Sequence, residues 1–520
     1  LDAHFEAFIG TLLREIGPRP SNRTAGWTML HIASWDMGAQ NWSARFRDEF
    51  QRRRGYDPLP YLPAMTGRIV ESLEISERFL WDIRQTAQEL VVENHAQHLK
   101  TLGRRHGFGL SIEPYDMNPC SDLSLGGVAD VPMCEFWAQG YGFNTAFSCI
   151  EAVSIAHTLG RPVVAAESFT SDDKEAWRLH PGAMKPQADW AFCMGINRLV
   201  FHRYAHQPWL DRSPGMTMGP YGVHYERTQT WWPMVGAWHT YLARCQAMLR
   251  RGRPVADICY LAPQGAPHVF RPPASALAGA GPVPDRKGYN FDGCAPETLL
   301  AGATVKRGQL VLPSGVTYRV LVLPDMETMT PALVRKVRDL VRAGATVIGP
   351  RPLKSPSLSD YPRCDQEVQR LASELWGPDS PDGKHTAEHK VGRGRVVMVK
   401  QPTSSDVKPP EQPSLPAEAR WIWYPEGVPS ASAPVGTRLF RRVFDLDEGT
   451  AVESAWLVMT ADNAFEVQVN DKPVGEGDNF KQTYAFDLKP LLRPGTNRLS
   501  VLARNGGETP NPAGLVGALL

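Results

Sequence analysis

Between Leu110 and Phe169 three short apolar runs each lead into a glutamate. Leu110-Ser111-Ile112 runs into Glu113, Val131-Pro132-Met133-Cys134 into Glu135, and Val163-Val164-Ala165-Ala166 into Glu167. Between the second and third runs, the segment Asn144 to Leu159 carries Phe147, Ile150, Val153, Ile155 and Ala156 at roughly helical spacing. Buried strand alternating with amphipathic helix is the rhythm of a parallel sheet or barrel. A carboxylate at the C-terminal end of a barrel strand lies on the face that carries chemistry. This stretch is therefore the expected floor of an active site.

Two more strands flank it. Met29 to Ile32 leads to Ser34-Trp35-Asp36, and Asn197 to Phe201 delivers His202, Arg203, Tyr204 and His206 to the same face. The five strands, near His31, Ile112, Pro132, Val164 and Val200, make a partial (β/α)8 barrel, whose three remaining strands are expected upstream of Leu1. Helices are expected over residues 1–16, stopped by Gly17-Pro18, and over 46–56, 70–104, 188–194 and 228–250. The expected domains are a barrel over 1–252, a small doubly wound, flavodoxin-like α/β domain over 253–400, a Pro/Ser/Glu-rich linker over 401–418, and an antiparallel β-sandwich over 419–520. The α/β domain has no G-x-G-x-x-G, so it reads as scaffold without an organic cofactor. The sandwich reads as carbohydrate-binding-like or as an accessory fold that breaks off within a strand. The chain opens on Leu without a basic n-region and apolar h-region, so it is expected to be an internal fragment.

Composition narrows the partners. Lys and Arg number 56 against 55 Asp and Glu, a net charge of +1, which gives no global attraction to nucleic acid or acidic membranes. No apolar run approaches the roughly 20 residues a membrane span needs. The eight cysteines are scattered without a C-x-x-C and read as small buried hydrophobes. The 15 Trp are suited to lining a cleft for a half-apolar ligand such as a sugar.

Four acids, Asp36, Glu113, Glu135 and Glu167, stand beside Trp35, Trp42, Tyr115, Trp137, Phe169, Tyr204 and Trp209. That meets the needs of glycosidic bond cleavage, in which one carboxyl gives a proton to the leaving oxygen and an ionised one activates water or attacks carbon. Neighbouring like charges and burial push two such pKa values apart. Glu113, followed by Pro114, reads as a supporting residue. His202 and His206, beside Arg203 and Tyr204, read as hydroxyl-recognising groups, with satisfied core histidines as the bland alternative. Zinc at His206 and His224 lacks an H-E-x-x-H helix, and Ser168 lacks the G-x-S-x-G of a nucleophile elbow. Asp130, Asp172 and Asp173 could help hold a hard cation such as calcium.

The strings His31-Ile-Ala-Ser-Trp-Asp-Met-Gly-Ala-Gln-Asn-Trp42, Arg53-Arg54-Gly55-Tyr56-Asp57, Ser76-Glu77-Arg78-Phe79-Leu80-Trp81-Asp82, Ser111-Ile112-Glu113-Pro114-Tyr115, Ala166-Glu167-Ser168-Phe169, Phe201 to Trp209 and Glu226 to Trp232 resemble the family 106 glycoside hydrolases, the α-L-rhamnosidases. The resemblance covers about residues 1–260 and extends more loosely beyond. It implies an inverting, calcium-dependent hydrolase of terminal α-L-rhamnose, met in rhamnose-containing glycans and glycosides, in the periplasm or outside the cell. By that match the proton donor is Asp36 and the base Glu167, with Glu135 a rival for either role or a ligand of cation and hydroxyl groups. Trp35, Asn41, Glu113, Trp137, His202, Tyr204, His206, Trp209, His224 and Arg227 are the expected sugar-binding residues. The chain departs from the family pattern at Ala33-Ser34-Trp35-Asp36, where Asp-Ser-aromatic-Glu is expected. Asp36 falls short of Glu by one methylene, roughly 1.5 Å. Two rival readings stand beside this one: a carbohydrate-binding protein without turnover, and a retaining β-glycosidase-like enzyme.

Overall fold

The computed structural model describes residues 1–17, 26–35, 42–115, 119–138, 146–172, 177–204, 206–213, 215–216, 222–278, 285–377, 387–398, 419–424, 428–447, 452, 454–480, 483–507 and 509–519. Asp36, Asn41 and Asp173 lie outside them. The chain divides into two compact units, Leu1–Lys400 and Gln401–Leu520.

In the first unit β1 (Met29–Ile32), β2 (Gly109–Ile112), β3 (Val131–Trp137), β4 (Ala165–Thr170) and β5 (Arg198–Phe201) form one parallel sheet in chain order. All five expected strands are present. Two of them run further than expected, because β3 continues for two residues past Glu135 and β4 for three past Glu167. The acids sit within the strands, where pairing fixes their direction.

Side chains alternate across this sheet, as strand geometry requires. Cys134, Phe136, Ala166 and Phe169 pack on one side with Cys149, Val153 and Ala156 of the helix Ala146–Leu159. Val131, Met133 and Ala165 cluster on the other, the side to which Glu135 and Glu167 belong by the same alternation.

The helices differ from expectation where proline intervenes. The helix before β5 begins at Pro181 and not near Ala188, since Pro186 is accommodated inside it. Residues 228–231 are turns, and Trp232–Met234 is a single 3₁₀ turn before the helix Val235–Leu249. Residues 2–16 are helical up to Gly17, whose φ of 78° suits a glycine stop. A long helix begins at Leu73, capped by the Ser72 hydroxyl.

The six-stranded sheet of residues 258–398 runs in the spatial order 387–391, 394–398, 346–348, 320–322, 258–261, 291–294, parallel except at the first strand. It buries Leu321, Val347 and Val396 against Val334, Val337 and Leu371 of the helices Pro331–Ala343 and Arg363–Trp376. Buried polar clamps hold this layer to the first. Asp82, fully buried, accepts from Tyr56 Oη (2.8 Å), Ser357 Oγ (2.6 Å) and Leu358 N (2.9 Å). Arg78 pairs with Asp365 at 2.7 Å, and Asp292 bridges His157 Nδ1 (2.8 Å) and Tyr318 Oη (2.9 Å).

Among the described residues the second unit holds two antiparallel sheets. One joins Gly436–Leu446, Gly495–Asn505, Ala464–Val469 and Lys472–Gly477, and the other Tyr484–Asp487, Trp456–Asp462 and Gly514–Leu519. Leu499, Val501 and Ala503 alternate inward to meet Leu457, Met459 and Phe465, the pattern of a sandwich core.

Candidate active site

The carboxylates gather because three neighbouring strands present them on one face. Glu135 and Glu167 are direct partners in the β3–β4 register. Backbones of paired strands stand about 4.8 Å apart, and the Glu135 carboxyl is within hydrogen-bonding reach of Glu167. Burial, then the Glu167 charge, push the Glu135 pKa up to about 8. Trp137 Nε1 donates to Glu135 Oε1 at 2.7 Å and opposes part of that shift. At neutral pH the pair therefore carries a proton.

A bulge completes the surroundings of Glu167. The β3–β4 register slips so that Trp137 pairs with Thr170, leaving Phe169 as the extra residue at φ 63°. Phe169 turns into the helix-side core against Phe136 (5.1 Å) and Phe201 (5.6 Å). Thr170, three positions on from Glu167, would otherwise face the opposite side. The bulge returns it, and Thr170 Oγ1 donates to Glu167 Oε1 at 2.6 Å.

His202, just past β5, brings Nε2 to 3.8 Å from Glu167 Oε1. Burial lowers its pKa against the pull of Glu167, which favours a neutral ring at neutral pH. Gly222 makes this placement possible, since at φ 96° it passes so close that a Cβ would lie 2.9 Å from His202 Nδ1.

Glu113 follows β2 and is buried, with Oε2 accepting from Ser34 N at 3.0 Å and lying 3.9 Å from His31 Nε2. His31 Nδ1 is in turn 2.8 Å from Ser111 Oγ. Glu113 thus ties β2 to the segment leading toward Asp36. Tyr115 is buried nearby. Burial and the charges of Glu113, Glu135 and Glu167 raise its pKa well above the ordinary phenol value, and its hydroxyl has no hydrogen-bond partner among the described residues.

The other expected residues divide. Trp137 joins the cluster through Glu135, and Trp35 packs edge-on against His95 at 5.6 Å. His224 stacks on Trp177 at 3.9 Å. Tyr204 and Trp209 are 62% and 52% exposed, on the loop after β5 that also carries the exposed His206. Arg227 closes that loop by donating to the carbonyls of Gln207 (3.1 Å) and Trp209 (2.6 Å). Among the described residues no hydrogen bond or ring contact joins Tyr204, His206 or Trp209 to the acids.

Asp130 is a correction. It sits before β3, at the opposite end of the sheet from Glu135, where Lys100 (3.0 Å), Arg104 (2.7 Å) and Leu110 N (3.0 Å) occupy its oxygens. It cannot share a cation with Asp172, which lies past the far end of β4. Among the described residues no group of three His, Cys, Asp or Glu side chains converges to hold a metal ion. Two supporting residues carry no mark in the sequence as site residues: Thr170, whose facing depends on the bulge, and Ser148, whose Oγ accepts from Glu135 N and donates to Glu135 O.

The model of the glycoside hydrolase family 106, described as alpha-L-rhamnosidase, matches residues 1–409. The chain is 38% identical over 379 residues to a protein named putative beta-glucuronidase from Formosa agariphila, covering 72% of this chain and 31% of that one. It is 37% identical over 116 residues to an alpha-L-rhamnosidase of Streptomyces avermitilis, covering 21% and 11% of the two chains. The structure of a rhamnosidase from Novosphingobium sp. PP1Y superposes with a TM-score of 0.67 at 21% identity, over 99% of this chain and 63% of that one. The chain thus spans about a third of the first relative's length. A parallel sheet with paired glutamates on one face, a family match over most of the length and a shared fold lead to one conclusion: the chain belongs to glycoside hydrolase family 106, the alpha-L-rhamnosidase family.

Proposed function

We propose that this chain hydrolyses terminal α-L-rhamnosyl linkages of polysaccharides or glycosides with inversion, Glu167 serving as base and Asp36 as proton donor. The observation that carries the proposal is the Glu135–Glu167 pair, held side by side in register, where burial and the neighbouring charge raise the Glu135 pKa to about 8. A group protonated at neutral pH is not the base, so Glu135 serves by donating a hydrogen bond to Glu167 and fixing its direction. Glu167, also held by Thr170, takes the proton of the attacking water. Inversion needs about 6.5–9.5 Å between acid and base to admit that water. Neighbours hydrogen-bonded across one strand spacing stand too close, so the acid is a residue other than Glu135, and the family resemblance assigns that role to Asp36.

The experiment is the anomer released first from an aryl α-L-rhamnoside, read by proton NMR. Inversion gives β-L-rhamnose, and Glu167→Gln lowers kcat about 10²–10⁴-fold with little change in sugar affinity. The closeness of the two glutamates favours a second reading, a retaining double displacement, for which a spacing near 5 Å is usual. Release of α-L-rhamnose would establish it. Binding without turnover at any pH would instead identify a carbohydrate-binding protein. The name of the Formosa relative supports a further substrate, a β-glucuronide, tested by hydrolysis of an aryl β-D-glucuronide in the same assay.

Calcium dependence is part of the proposal through the family resemblance alone. Among the described residues no three His, Cys, Asp or Glu side chains converge on one point, and no step above runs through the cation. Chelation followed by calcium addition tests it: activity lost and then restored supports a bound cation. Action in the periplasm or outside the cell, where polymeric glycan is met, is proposed on the same ground. No helix among the described residues is long and apolar enough to cross a membrane.

A further inference from the structure

A cavity of about 780 Å³ lies between the starts of the helices Pro181–Met194 and Val235–Leu249, which follow β4 and β5. Its walls include the rings of Trp177, Trp231 and Trp238, with Arg178, His180 and Lys185 beside them, and no acidic side chain is among its described lining. Helices that follow parallel strands begin at the strands' C-terminal ends, so the cavity shares the acids' end of the sheet. A short chain of contacts connects the two. Glu167 lies 3.8 Å from His202, and Val223 N donates to His202 O at 2.7 Å. The adjoining His224 stacks on Trp177, with ring centroids 3.9 Å apart and planes at 23°.

The lining has two chemistries. Indole rings offer the flat apolar surface against which the C–H face of a pyranose stacks. The cations offer charge, but Lys185 is already paired with Asp189 at 2.5 Å. Arg178 is exposed on the rim, and guanidinium is the side chain that matches a carboxylate bidentately. A neutral sugar would use the rings and leave the cations idle. Extended polyanions are disfavoured by a chain whose net charge is only +1.

We propose that this cavity is a subsite for a uronic acid, the sugar adjoining the rhamnose that is released. This rests on the rhamnosidase reading above. The volume falls within the roughly 300–1,000 Å³ of small-molecule sites and accommodates a pyranose ring with its carboxylate at the Arg178 rim.

The test uses the full chain and two disaccharides, α-L-rhamnosyl-(1→4)-D-glucuronic acid and its neutral counterpart α-L-rhamnosyl-(1→4)-D-glucose. Both kcat/KM and the Kd from titration calorimetry are measured for the wild type, Arg178→Gln and Arg178→Lys. The wild type is expected to favour the acidic sugar about tenfold, a preference that Arg178→Gln reduces to about twofold or less and Arg178→Lys, which keeps the charge but not the bidentate fork, keeps only in part. Raising the salt to about 0.5 M should shrink the preference as well. Equal handling of both sugars by the wild type, or a preference that survives Arg178→Gln, overturns the subsite even if rhamnose is released from both. If neither sugar is hydrolysed, an acidic preference in Kd that depends on Arg178 upholds the subsite while the rhamnosidase reading falls.

Discussion

Glu135 sets the protonation state of the site. Its carboxyl is pressed against Glu167 in a partly buried position, and losing the proton would place two like charges in contact. The folded-state pKa of about 8 lies above the ordinary 4.5. Between those values the folded chain holds a proton that the unfolded chain has released, so this contribution to stability is full below pH 4.5 and is lost as the pH rises through about 8. Glu135→Gln keeps a neutral side chain at every pH. Relative to wild type it is expected to gain roughly 4 kcal/mol between pH 5 and pH 8.5. Chemical denaturation at the two pH values checks this, and parallel curves would show that Glu135 titrates normally.

At the scale of the element, the bulge at Phe169 decides what Glu167 meets. One extra residue in β4 reverses the alternation, sending an aromatic ring to the helix layer and a hydroxyl to the acid. Phe169 is fully buried yet occupies the left-handed region, where a side chain is strained. Phe169→Ala loses the ring and keeps the strain, with an expected loss of about 3–5 kcal/mol. Phe169→Gly is smaller still but relaxes the backbone, so it is expected to be the more stable of the two by roughly 1 kcal/mol, the reverse of the usual order in a strand. Thermal melts of both variants decide the order. In either, a lower kcat with unchanged KM would report a misplaced Thr170.

At the scale of the molecule, buried charge holds the two α/β layers of residues 1–400 as one unit. Asp82 receives three hydrogen bonds, from a loop of the first layer, from a serine and from a backbone amide of the second. Asp82→Ala strands those donors in a buried site, at an expected loss of about 3 kcal/mol. Limited proteolysis should then cut sooner between the layers. Arg78 and Asp82 belong to a string that marks the family in the sequence, and in the structure their visible work is this clamp.

The five strands are legible in the sequence because apolar runs of strand length are bounded by turn residues and separated by helical spacing. Glu135 and Glu167 are legible as candidates for the same reason: each interrupts such a run. Proline hides the start at Pro181, because a Pro inside a helical pattern ordinarily signals its end. The sequence by itself determined the order of the elements, since periodicity is a local property of neighbouring residues. Only the tertiary structure decided that Glu135 faces Glu167, that Thr170 turns toward them and that Asp130 does not. Those outcomes depend on register, bulge and sheet end, which arise when strands distant in the chain pair and have no local signature.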